Sequence, residues 1–72
     1  MIIVNIPTYK TNDYANMEMI AWLVRTFGLG GWYLEDLNTN KKISWAWEHV
    51  DDTNKIAFKT EQDATLFKLR WL

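Results

Sequence analysis

Apolar and polar residues alternate with a period of two at the start of the chain. Ile2, Val4 and Ile6 fall on one side and Ile3 and Asn5 on the other, which predicts a strand over 2–6 that Pro7 ends. The period then changes. Residues 13–27 contain neither Gly nor Pro, and Thr11-Asn12-Asp13 offers N-cap candidates for a helix. At about 100° per residue, Ala15, Met17, Met19, Ile20, Trp22, Leu23, Val24 and Phe27 cover an arc of roughly 220°. Glu18, Ala21 and Arg25 hold the opposite side. So wide an arc must touch more than one surface. Gly28 is the expected left-handed stop of this helix, and Gly30-Gly31 continue the loop.

Three further strands are expected. Residues 32–37 put Trp32, Leu34 and Asp36 on one face and Tyr33, Glu35 and Leu37 on the other. Asn38-Thr39-Asn40-Lys41 reads as a hairpin connection. Residues 42–50 alternate cleanly, with Ile43, Trp45, Trp47 and His49 opposite Ser44, Ala46, Glu48 and Val50. Asp51-Asp52-Thr53-Asn54 reads as a second turn, and residues 55–59 place Ile56 and Phe58 on one face. Thr60-Glu61-Gln62-Asp63 resembles a capping box that opens a helix from about 61 to the C-terminus. Its acidic first turn and basic last turn both suit the helix dipole.

The predicted order is β-α-β-β-β-α. It implies an α+β domain spanning 1–72, with a four-stranded, mainly antiparallel sheet and two helices on one face. The covered face would hold Ile2, Val4, Ile6, Trp32, Leu34, Ile43, Trp45, Trp47, Ile56 and Phe58. The open face would hold Ile3, Asn5, Tyr33, Glu35, Ser44, Ala46, Glu48, Lys55, Ala57 and Lys59.

Composition narrows the function. The chain has 72 residues, five Trp, no Cys, one His and a formal net charge of −1. A domain this short buries only about 60% of its unfolded surface. Disulfides and thiolate metal sites are excluded, and His49 alone cannot build a His-based zinc site. Balanced charge leaves no footprint for duplex DNA or an anionic membrane. No apolar run approaches the roughly 20 residues of a membrane span. The N-terminal stretch lacks the basic and small-residue features of a signal peptide, and the absence of Cys fits a cytoplasmic setting.

Candidate chemistry is sparse. Trp45 and Trp47 share a strand face and could stack bases, but that face also carries Ile43, Ile56 and Phe58 and is expected to be covered. His49 lies near Glu48, Asp51 and Asp52, yet Ser44 is the only Ser and no nucleophile motif accompanies it. The 51–54 segment lacks the spacing of a calcium loop. Gly28-Leu29-Gly30-Gly31 follows a helix and precedes a strand, the reverse of a phosphate-binding loop. What remains is apolar helix surface: Leu66, Leu69 and Leu72 on the last helix, and Met17, Ile20 and Val24 on the first. These six either pack on one another or form a seam for a second copy or another protein.

The stretch Ile56-Ala57-Phe58-Lys59-Thr60-Glu61-Gln62-Asp63-Ala64-Thr65-Leu66-Phe67-Lys68-Leu69-Arg70-Trp71 resembles the C-terminal segment of small uncharacterised proteins of large tailed bacteriophages, cyanophages among them. The resemblance implies a phage-encoded protein of the host cytoplasm or the virion, and transfers no functional residue. The sequence thus leads to the expectation of a non-enzymatic protein-interaction module. It would take no cofactor, metal or small-molecule substrate, would not bind a membrane, and would have a protein partner or a second copy of itself. The alternative is a single-stranded nucleic-acid binder that stacks bases on aromatic side chains.

Overall fold

A computed structural model describes residues 1–6, 13–50 and 53–72, with residues 13–16 and 50 as backbone alone. The elements in chain order are β1 (Ile2–Ile6), α1 (Asp13–Phe27), α2 (Asp36–Thr39), β2 (Trp45–Val50), β3 (Thr53–Phe58) and α3 (Glu61–Trp71). Pro7, the cap candidates Thr11 and Asn12, and Asp51-Asp52 lie outside the described residues.

The fold is α+β, but the sheet has three strands in the order β1-β3-β2, with both pairings antiparallel. β3 is central. Val4 pairs with Ile56 on one side of it, and Trp47 pairs with the same Ile56 on the other. Strand, hairpin and cap rules account for most of this. Thr60 has extended backbone, and its Oγ1 accepts from the Asp63 amide at 3.2 Å, the N-cap bond expected at the start of α3. Gly28 ends α1 with φ 86°, and its amide donates to Val24 O at 2.9 Å.

The fourth strand expected over 32–37 does not form. Asp36 Oδ2 accepts from the amides of Trp32 and Tyr33, each at 3.2 Å. Asp36, Leu37 and Asn38 amides then donate to the carbonyls of Tyr33, Leu34 and Glu35, winding the chain into turns and α2. Asp and Asn side chains that bond nearby backbone compete directly with a sheet ladder. Here each side-chain bond spans three or four residues, a shorter reach than any pair of the expected hairpin ladder, and the turn forms in its place. The hairpin expected over 38–41 therefore falls with it.

That change moves the core. On one face of the sheet, α1 and α3 cover Val4, Ile6, Trp45, Trp47, Ile56 and Phe58 with Met19, Leu23, Ala64 and Phe67. This is the expected arrangement of two helices on one face. The other face is not open. Ala46 and Ala57 are both 0% exposed, sealed by Leu37 and Ile43 with Leu34 packed alongside. Ile43 was expected beside Trp45. It precedes β2, so strand alternation does not govern it, and it packs on the second face. Trp32, also expected in the core, is 70% exposed.

Candidate functional site

The concave surface begins where α1 stops. Past Gly28 the chain lies against the free edge of β2. The Gly31 amide donates to Trp45 O at 3.0 Å, and the Trp47 amide donates to Gly31 O at 2.8 Å. The Trp45 indole N–H donates to Gly28 O at 2.8 Å. Gly30 lies flat on that indole, where a Cβ would overlap its ring atoms. The missing side chain at Gly30 thus lets the backbone press onto one tryptophan, and its neighbours Leu29 and Trp32 lie on the outside. Leu29 is 77% exposed, and Trp32 stands beside it.

The result is a pocket of about 100 Å³ lined by Ile20, Val24, Leu29, Gly30, Gly31, Trp32, Trp45 and Trp47. No titratable side chain lines it. Its chemistry is that of an apolar socket with a rim of aliphatic and indole groups. A second, more open groove runs between α1 and α3, where Glu18, Ala21, Arg25, Arg70 and Trp71 meet. There the Arg70 guanidinium stacks 4.4 Å from the centre of the Trp71 ring.

Of the six residues expected to form an interaction surface, the structure brings two into the pocket. Ile20 is half-buried there and Val24 sits at the rim. Met17 is exposed on the same side of α1. Leu66, Leu69 and Leu72 are exposed on α3, away from the pocket. The two helices meet through Trp22, whose ring lies 6.2 Å from Phe67 and 6.3 Å from Trp71. Met17, Ile20 and Val24 lie about 140–160° round α1 from Trp22, so they are turned away from α3. The leucines therefore do not pack on them, and the single expected seam is two separate surfaces.

Leu29 and Trp32 are the residues that periodicity missed. Both were absorbed into an expected loop and strand. The signal available was the Asp36-Leu37-Asn38-Thr39-Asn40 run, whose residues favour turns over strands.

The remaining candidates take ordinary places. Trp45 and Trp47 are buried in the core, and what they expose forms part of the pocket wall. His49 is exposed, with its Nδ1 2.6 Å from Asn54 Oδ1, an imidazole N–H donating to an amide oxygen. Among the described residues no group of three or more His, Asp or Glu could hold a metal. Among them, too, no helix is long and apolar enough to cross a membrane. No family model matches the chain, and no curated protein or solved structure is significantly similar to it.

Proposed function

We propose that this chain is a non-enzymatic protein-interaction module that receives an aliphatic side chain of a partner protein in the pocket beside Trp32. The observation that carries this reading is a socket whose side chains are all apolar, rimmed by two strongly exposed residues, Leu29 and Trp32. Trp is enriched among the residues that dominate binding energy at protein interfaces. Scale supports an aliphatic occupant: an apolar cavity of about 150 Å³ holds a benzene, so about 100 Å³ suits a smaller aliphatic group. The phage-encoded, cytoplasmic setting suggested by the C-terminal resemblance belongs to this same proposal.

Selection from a displayed peptide library tests it. Peptides enriched on the wild-type chain should share an aliphatic residue and lose at least about tenfold in affinity on Val24→Glu. Enriched peptides that bind Val24→Glu equally well, or no enrichment at all, would overturn it.

A further inference from the structure

The two outer edges of the sheet are finished differently. On β2, Gly31 occupies the backbone groups of Trp45 and Trp47, and Glu48 and His49 follow. Among the described residues β1 has neither device. Its sequence, Ile2-Ile3-Val4-Asn5-Ile6, carries no charge, and no described residue other than those of β3 pairs with it. Natural sheets protect such edges with Lys, Pro, bulges or a covering segment, because an apolar unprotected edge pairs with another chain.

The parity of that edge is fixed by the bonds already made. Trp45 and Trp47 turn their backbone groups toward Gly31, so Ala46 and Glu48 turn theirs toward Ala57 and Lys55 of β3. Ile56 and Phe58 then serve β1 through Val4 and Ile2. Ile3 and Asn5 are left with N–H and C=O directed outward.

We propose that two copies of this chain pair antiparallel through these edges, about a twofold axis at Val4, joining the two sheets into one of six strands. In this register Ile3 faces Asn5 of the second copy, and both present outward N–H and C=O groups, so both pairs bond reciprocally. Ile2 faces Ile6 of the second copy on the helix-covered side. A shift by one residue would set outward groups against inward ones, so the parity selects this register or one displaced by two.

The helix layer fits the same axis. α3 lies over β1 and β3. With strands about 4.8 Å apart, the two α3 helices would run antiparallel at about 10 Å, the upper end of the range for packed helices. The flank of α3 turned from α1 carries Glu61, Thr65, Lys68 and Leu72, about 100–160° round from Phe67. Val4 pairs two residues along β3 from Phe58, about 7 Å, or four to five helical residues along α3. That places the axis near Thr65 and sets Glu61 opposite Lys68 of the second copy. Opposite charges then meet across the axis twice.

This inference is independent of the pocket, which lies at the β2 edge and stays open in the dimer. Sedimentation equilibrium of the full chain over a range of concentrations tests it, with a reversible species of twice 8.6 kDa expected. Asn5→Pro removes an outward N–H without touching the β3 ladder, and should give a monomer with an unchanged circular dichroism spectrum. Glu61→Lys should weaken the dimer about tenfold, and Glu61→Lys with Lys68→Glu should restore it. These two positions are two turns apart within one chain, so the rescue reads an intermolecular contact and needs no Asn5→Pro variant to fold. A monomeric wild-type chain, a dimer indifferent to Asn5→Pro, or a charge swap that fails to rescue would overturn the proposal. None of these outcomes bears on the pocket, whose test reads peptide affinity.

Discussion

A methyl group added at Gly30 would drive into the Trp45 indole, whose ring atoms already fill that space. The constraint is one of room. At Gly28 it is one of conformation, since φ is 86° and open space surrounds the missing Cβ. Gly30→Ala should therefore cost about 1–3 kcal/mol, the usual penalty of overpacking, measured by urea unfolding. It should also narrow the pocket and weaken peptide binding. Gly28 was legible as a helix stop because the helical pattern ends there. The role of Gly30 was not, because its reason is a tryptophan fifteen positions away in sequence. Asp36 shows the same limit from the other direction. Its side chain takes two nearby amides, and that short-range event decides whether 32–37 can be a strand.

Among the elements, α1, β1 and α3 match the sequence pattern closely, since each couples a clear period with a clear stop. α3 is typical: its first turn is set by Thr60 and its buried stripe by Ala64 and Phe67. β2 and β3 form where expected with shifted ends, β2 beginning at Trp45 and β3 at Thr53. The misassigned element is the 32–37 segment, and its consequence falls on the sheet. Ala57 looks like a solvent-facing position when the sheet is read as covered on one side, and Leu there would be nearly neutral. Packed under Leu37 and Ile43, Ala57→Leu should instead cost about 1–3 kcal/mol. A change in the midpoint of thermal or urea unfolding distinguishes the two.

At the scale of the whole molecule, the tryptophans divide the labour. Trp45 and Trp47 are core, and Trp22 and Trp71 pack at its edge with Phe27, Phe58 and Phe67. Trp22 meets Phe27 edge-on at 5.7 Å, a favoured aromatic geometry. This is how a chain without disulfides gains enough burial to fold. Trp32 stands apart from them at the surface. Trp32→Phe should remove most of the iodide-quenchable tryptophan emission while changing stability by less than about 0.5 kcal/mol. Quenching that survives the substitution would place another tryptophan at the surface. The sheet that these groups cover has one edge occupied by Gly31 and one edge, β1, that no described residue outside β3 pairs with, and Leu69, 81% exposed, stands on α3.

By itself the sequence determined α1 and α3, the stop of α1, the cap of α3, the alternation of β2 and the burial of Trp45 and Trp47. Periodicity and capping act within a few residues, so a single chain displays them. Only the tertiary structure decided that 32–39 folds back over the second face, that Ala46 and Ala57 lie beneath it, and that Trp32 is left outside. Those outcomes rest on competition between a side-chain turn and a hairpin ladder, and on which residues a folded sheet brings within van der Waals reach. Neither has a period that can be read along the chain.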